Sequence, residues 1–554
     1  MRLRSPVRPK VPEHHRALGP ISTAPACWDS QGQEPKMEAT TRASEFSNDS
    51  PATGESGVSP PSPAHEARAK AGAVPLAAVI VIVLLMYTLF ATGGMMTTVP
   101  PTTSVYGLLA ESFMQGRLDL LLDPPPELAA IENPYDPAER AGIDVSTDAT
   151  YFRGRYFVYW GPAPAAILAV WKAIFQRSLG DGAIAFAAAV ATFLFASFLL
   201  LRLRTLYFPS LPTWLVALSL AAVGMAHPIL WNLSFPAIYE AAIGTGQAFL
   251  FGGLYLSVSV IGGSAASRRT MALIGTFWGL AIASRLTLVP AVGVLLLGTL
   301  FGLGASQRTQ TPRAALLPAR CSLILPLVLI CSLLGLYNHL RFGKPTETGF
   351  QFQLVPDLDY PRLMAAGEMF NPKYLVPNVL YYSVAPARLR ASFPFVESAR
   401  GGLSWERAFI GDPGSQGVYS VGNITGVLVA APFTLFAGLL VASRIMRAFG
   451  TASPSVPPPD KATGAPNIGA AEVGMTIVAA AALTAFSTLA YRHATNRFEL
   501  DYVPLLLIAS SIGAWQLHKT YRRCRVHSAL VNILIVLTVL GTLLSGILLG
   551  ASRP

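Results

Sequence analysis

Residues 161–175 read GPAPAAILAVWKAIF, and whether they cross a bilayer or lie along it decides how every later segment is placed. The run is apolar but only about 15 residues long, short of the roughly 20 that a spanning helix needs. Charge settles the reading. If the run spans, the short loops carrying Arg202 and Arg204, Arg268 and Arg269, and Lys519, Arg522, Arg523 and Arg525 all face outward. If it lies at the outer interface, each of those loops faces the cytoplasm, the side that Lys and Arg mark. The interfacial reading therefore stands, and it fixes eleven spans at about 74–92, 182–201, 211–230, 241–262, 271–284, 286–304, 321–339, 421–443, 473–490, 502–518 and 529–549. The apolar run 271–304 must then be split by a turn at Ser284-Arg285.

Composition agrees with a membrane class. Of 554 residues, 52% are hydrophobic and 13% charged, where a soluble domain carries about 25% charge. The apolar runs are continuous rather than alternating, which disfavours an outer-membrane barrel. The formal net charge of +11 does not call for a nucleic-acid partner, because the cations sit at the ends of apolar spans and not in one patch. Cys27, Cys321, Cys331 and Cys524 have no metal-like spacing and avoid the large polar loops, so neither a zinc site nor a disulfide framework is expected. The expected fold is an all-α polytopic membrane protein of about 11 transmembrane helices, with a large first outer loop that contains interfacial helices.

Residues 1–73 are rich in Pro, Ser, Ala and Glu and cannot bury enough apolar surface to fold, so they read as a disordered cytoplasmic tail. Met37 offers a second start within it. Arg68 and Lys70 precede the first span and keep the N-terminus inside. The membrane domain covers 74–549, with outer loops at 93–181 and 340–420 and a Pro-rich cytoplasmic loop around 450–470.

The first outer loop concentrates acids in an otherwise greasy chain. Three of them stand in distinctive settings. Glu111 lies in YGLLAESFMQGRLDL, whose Leu and Phe spacing gives an amphipathic helix on the membrane surface. Asp136 sits in the proline-bounded turn NPYDP. Asp148 precedes ATYFRGRYFVYWGP, whose alternating aromatics point to a strand or a segment seated at headgroup level. A carboxylate at such a place can take a proton from an acceptor hydroxyl. Cations are the complement: Arg285 stands at an outer turn between two apolar half-spans, where an ionisable group is a functional candidate. Arg497 clusters with Glu499 and Asp501 in NRFELDY, either as a latch or as a fork donor to phosphate. Arg153, Arg155, Arg341 and Lys344 add to the positive outer surface, which suits an anionic headgroup. No P-loop, GxSxG or metal motif is present, and nothing demands a cofactor, although a divalent cation is compatible.

The phrases YGLLAESFMQGRLDL, NPYDPAER, DATYFRGRYFVYWGPAPAAIL, GLAIASRLTLVP, YNHLRFGKPTETGF and RFELDYVP, in that order over about 74–549, resemble the GT-C superfamily of integral-membrane glycosyltransferases. The likeness is to bacterial members of the protein-mannosyltransferase and aminoarabinose-transferase group. It implies a polyprenyl-phosphate-linked sugar donor, a glycan, lipid or protein acceptor at the outer face, an inverting displacement, and a place in the bacterial inner membrane. Members commonly carry a base near the end of the first span or early in the first loop; here MMTTVPPTTSVYGLL has no carboxylate before Glu111, so either that role has moved to Glu111 or a later acid such as Asp148, or transfer activity has been lost. By position within the motifs, Arg285 and Arg497 correspond to basic residues facing the lipid phosphate. A transporter or flippase of lipid-linked precursors, or a non-catalytic scaffold of the same fold, is the alternative. Absent repeats and polar residues gathered at one face weigh against transport.

Overall fold

The computed structural model describes residues 63–100, 103–147, 149–306, 313–410, 418–449 and 468–552. Residues 1–62 of the expected tail, with the Met37 start, and most of the Pro-rich loop lie outside the described residues, whereas 63–73, expected in that tail, are helical and continue into the first span. Two compact units are distinguished. One comprises 1–58 and 443–460, of which the end of a single helix is described; the other, 59–442 and 461–554, carries the fold.

Helices dominate because apolar runs in a bilayer must satisfy their backbone groups internally. In chain order they are α1 Pro63–Ala91, α2 Val105–Met114, α3 Ala163–Phe175, α4 Asp181–Tyr207, α5 Thr213–Met225, α6 His227–Leu233, α7 Ile238–Ile261, α8 Arg268–Ser284, α9 Val289–Ser306 and α10 Arg313–Phe342. The second half adds α11 Tyr360–Ala365, α12 Leu375–Val384, α13 Ser404–Ile410, α14 Val427–Ala430, α15 Leu435–Ala448, α16 Ala470–Leu489, α17 Asn496–Glu499, α18 Val503–Tyr521 and α19 Arg525–Ala551.

Seven of these segments are long and apolar enough to cross a membrane: Ala73–Ala91, α4, α7, Leu286–Ala305, Leu316–Phe342, α16 and α19. The pair α5 and α6, bent by 45° at the Ala226 break, makes an eighth if counted as one span. The other expected spans fall on α8, on the broken run α14–α15, and on α18, which do not meet the same length and hydropathy limits. The break expected at Ser284-Arg285 is present: α8 ends at Ser284, Arg285 is extended, and a 3-10 turn at Leu286–Leu288 leads into α9.

Helix packing relies on close approach. A Cβ at Gly275 would meet the Leu323 carbonyl oxygen at 2.0 Å, and one at Gly302 the Val260 oxygen at 1.9 Å, so α8 with α10 and α9 with α7 touch backbone to backbone. α3 is an amphipathic helix of 13 residues, with Ala163, Pro164, Ala165 and Leu168 buried and Ile167, Val170, Ile174 and Phe175 exposed. It is too short to span, as the sequence indicates.

Short strands occur within the polar segments. β1 Thr150–Phe152 and β2 Arg155–Phe157 form an antiparallel hairpin with Tyr151 opposite Tyr156. Its two-residue turn, Arg153 and Gly154, has positive φ at both positions (48° and 75°), the geometry that matches strand twist. β3 Ala387–Leu389, β4 Val396–Arg400 and β6 Asn423–Ile424 form one small sheet, and β5 Ser420–Val421 pairs in parallel with β7 His493–Ala494. The first polar segment has its own core, in which Tyr106, Leu109, Tyr156, Val158 and Trp160 pack on Ile184 and Ala185 of α4 and Ile238 of α7.

Candidate active site

The site is built around the break at Arg285. A guanidinium interrupting an apolar run is stable only if its charge is met, and Asp501, at the turn between α17 and α18, meets it. The Arg285 Nε and Nη2 groups donate to the two carboxylate oxygens at 2.6 and 2.8 Å, and Thr287 Oγ1 donates to one of them at 2.8 Å. Arg285 and Asp501 are both buried. This bidentate fork ties the α8–α9 turn to the α17–α18 turn.

Beside the fork lies a cavity of about 330 Å³. Tyr159 and Trp160, which follow the hairpin, and Tyr239 of α7 line it together with Phe350, Phe370, Tyr491 and Phe498. The rings touch one another: Tyr159 and Trp160 at 3.9 Å between centroids, Trp160 and Tyr239 edge-on at 4.7 Å, and Phe370 and Tyr491 at 5.2 Å. Gly161 is held at the rim, where a Cβ would meet the Ala283 carbonyl oxygen at 1.9 Å. Arg285 is the one ionised side chain among the described residues that line this space.

Trp160 and Tyr239 also line a second cavity, of about 340 Å³, together with Thr103, Ser146, Thr147, Ala149 and Arg497. The Arg497 guanidinium carbon stands 4.2 Å from the Tyr239 ring centroid, and its buried Nε has no hydrogen-bond partner among the described residues. No carboxylate among the described residues pairs with Arg497, in contrast to Arg285. Close to the Arg285 turn, α8, α9 and α10 also border an open apolar groove of about 840 Å³ lined by Ile282, Val289, Leu296, Leu327 and Leu336, with His339 at one end.

The other sequence candidates are dispersed. Glu111, on α2, accepts from Lys172 Nζ of α3 at 2.5 Å and from Ser178 Oγ at 3.2 Å. The Lys172 hydrogen bond holds its carboxyl below the usual glutamate range, and it lines neither cavity. Asp136 caps its own turn by accepting from Ala138 N at 2.9 Å. Asp148 lies outside the described residues, although Thr147 and Ala149 on either side of it line the second cavity. Arg153 is at the hairpin turn, 5.1 Å from the Phe152 ring. Arg155 is exposed, with Asp119 3.8 Å away. Arg341 is buried and donates to the Val158 carbonyl at 2.5 Å and to Asn338 Oδ1 at 2.7 Å, fastening the hairpin to the end of α10. Lys344 is exposed in the turn that follows.

Three acids have roles that spacing alone does not disclose. Asp501 is the partner of Arg285; NRFELDY puts it among Arg497 and Glu499 without saying which cation it takes. Asp181, first in α4, accepts from Thr103 Oγ1 at 2.5 Å and from the backbone of Val105 and Tyr106 at 2.9 Å each, capping α2 from a distance of 75 residues in sequence. Glu499 is buried, and neither carboxylate oxygen has a partner among the described residues. Burial pushes its pKa well above the glutamate range, which favours the protonated form. No group of three His, Cys, Asp or Glu suited to a metal ion occurs among the described residues.

No family model and no curated protein matches the chain. Solved structures do. The oligosaccharyltransferase of Archaeoglobus fulgidus in the apo form is similar at 12% identity and a TM-score of 0.41, over 86% of this chain and 56% of that one. The same archaeal oligosaccharyltransferase, AglB, in complex with an inhibitory peptide and a dolichol-phosphate gives 12% and 0.42, over 85% and 55%. ArnT from Cupriavidus metallidurans bound to undecaprenyl phosphate gives 12% and 0.33, over 87% and 76%. Both proteins are GT-C glycosyltransferases, the superfamily that the quoted phrases resemble. The chain spans about half the length of the archaeal enzyme.

Proposed function

We propose that the protein is a membrane glycosyltransferase that moves a sugar from a polyprenyl-phosphate donor to an acceptor hydroxyl of a glycan, lipid or protein at the outer face of a bacterial inner membrane, its N-terminus cytoplasmic. The observation that carries this reading is Arg497. It is an arginine with no carboxylate partner among the described residues, set in a cavity that shares an aromatic wall with a second cavity near the ends of apolar helices. A guanidinium so placed keeps its donors for an anion, and phosphate takes such a fork well. The apolar groove along α8, α9 and α10 offers the prenyl chain a place close to the Arg285 turn.

In the proposed reaction the acceptor oxygen attacks the anomeric carbon as the sugar–phosphate bond breaks. The phosphate leaves with the bonding electrons, and the acceptor proton passes to a carboxylate. Of the candidate bases, Glu111 is engaged by Lys172 and Asp136 by its own turn. Asp148 is therefore the acid to replace first. Arg285 is assigned to positioning, since Asp501 already occupies two of its donor groups. Arg153, Arg155, Arg341 and Lys344 are assigned to the outer surface and not to the reacting phosphate.

The test is transfer of labelled sugar from polyprenyl-phosphate donors by the full chain in lipid discs, with Asp148→Asn, Arg497→Ala and Glu111→Gln beside the unmodified protein. The expected result is loss of turnover in the first two and near-normal turnover in the third. Turnover unchanged in all three removes the site assignment. No turnover with any donor favours a transporter or scaffold.

A further inference from the structure

We propose that the tip of the β3–β4 hairpin, with the exposed face of α12 before it, is seated in the bilayer surface and binds anionic lipid headgroups through Arg388 and Arg390.

The hairpin tip is the most apolar exposed part of the polar segments. Leu389 is 87% exposed, Phe393 68% and Phe395 52%, and the two rings meet edge-on at 6.0 Å. Phe301 and Leu325 are exposed to a similar degree, but on segments long and apolar enough to cross a membrane, where lipid covers such side chains. Three large apolar groups gathered on one turn mark a surface that something covers. The apolar surface continues on α12. Val376, Val379 and Val384 are exposed on one side of that helix, while Pro377, Asn378, Tyr381 and Tyr382 on the other side are buried. A helix divided in this way suits the plane of a membrane surface.

Position and charge both select the bilayer as the cover. Asn378 Nδ2 donates to the carbonyls of Leu489 and Tyr491 at 2.7 and 2.8 Å, which holds α12 at the end of the apolar helix α16. Gly426 N donates to the Ala385 carbonyl at 2.9 Å, and a Cβ on Gly426 would meet Val384 N at 2.3 Å. The end of α12 is therefore pressed against the residue from which the apolar run α14–α15 begins. A helix fixed between the ends of two apolar segments lies where the hydrocarbon stops and the headgroups start. The hairpin is not free to fold its tip away. Ser398 of β4 accepts from Asn496 Nδ2 at 2.9 Å and from Thr425 Oγ1 at 3.0 Å, buried bonds that tie the strand to the turn carrying Arg497. Three exposed arginines, Arg388, Arg390 and Arg400, against the one acid Glu397 leave 387–400 positive. A second copy docked on the same patch would set these cations against each other. Anionic headgroups meet them instead, with the phenylalanine rings at interface depth.

The experiment places a nitroxide on Leu389→Cys, Phe393→Cys or Ala366→Cys, one at a time, in the full chain with its four native cysteines replaced. Ala366, exposed after α11 and outside the proposed seat, supplies the water reference. Lipid discs contain phosphatidylcholine alone or mixed with phosphatidylglycerol, and collisions with oxygen and with a water-soluble nickel complex are compared. Oxygen collisions are expected to exceed nickel collisions at 389 and 393, and the order to reverse at 366. Arg388→Gln combined with Arg390→Gln is expected to shrink the oxygen excess in the mixed discs and to leave it unchanged in phosphatidylcholine.

A nickel excess at 389 and 393 equal to that at 366 overturns the proposal. So does dipolar broadening at 393 that disappears on dilution with unlabelled protein, because a second copy is then the cover. Ratios that ignore both the lipid mixture and the arginine changes overturn the headgroup assignment. No donor or acceptor enters these measurements, so their failure leaves the glycosyltransferase reading standing.

Discussion

The two arginines at the site show how neighbours divide one residue type into two tasks. Arg285 and Asp501 are buried together, so removing either leaves an unmatched charge. Asp501→Ala is expected to cost about 3–5 kcal/mol, read as a lower unfolding midpoint of the purified protein. Arg497→Ala leaves no such orphan among the described residues, and should lower transfer with the midpoint nearly unchanged. Glu499 makes a separate prediction through pH. Its folded pKa lies well above the unfolded value of about 4.3, so its stabilising contribution is complete below that pH. The contribution is lost as pH rises towards the folded pKa, at up to about 1.4 kcal/mol per pH unit. Glu499→Gln should flatten that fall as pH rises above the unfolded glutamate value in denaturation experiments; an unchanged slope would mean that the carboxyl is ionised in the fold.

Elements position these residues through contacts that a linear reading reveals only in part. The apolar periodicity of α2, the aromatic alternation of β1–β2 and the break after Ser284 are local signals, and each appears in the structure where the sequence places it. The pairing of Arg285 with Asp501 is different, because it joins residues 216 apart and depends on how α8 and α18 pack. Asp181 capping α2 is of the same kind. Gly161 shows the cost of close packing at the element scale. Its Cα faces the Ala283 carbonyl across a gap that a methyl group cannot enter, so Gly161→Ala must push the hairpin away from the α8 end. About 1–3 kcal/mol of destabilisation is expected, read as a lower unfolding midpoint. The Glu111–Lys172 pair, each side chain about a third exposed, contributes much less. Because its carboxyl is held below the usual range, the contribution is present at neutral pH and fades as pH falls through the lowered folded value. Glu111→Gln should change stability by no more than about 0.2–1 kcal/mol.

At the scale of the molecule, the expected orientation turns on the short apolar helix α3. Its 13 residues leave a single exposed apolar face, and α2 packs on it through Lys172 and Glu111. A helix this short, tied to a polar segment by an ion pair, has no means of crossing a bilayer of about 30 Å. Counting it as interfacial keeps the basic loops after α4 and α7 on one side, together with the turn between α18 and α19. Counting it as a span reverses all of them. Lys172→Cys in a background with the four native cysteines replaced decides between the two. The ion pair it removes is weak, so the fold should tolerate the change. Labelling by a membrane-impermeant maleimide applied outside intact cells is expected, with a cysteine at Arg269 reacting only after permeabilisation. The opposite pattern would turn the cavities and Arg497 towards the cytoplasm, and with them the face at which a sugar donor would have to be supplied.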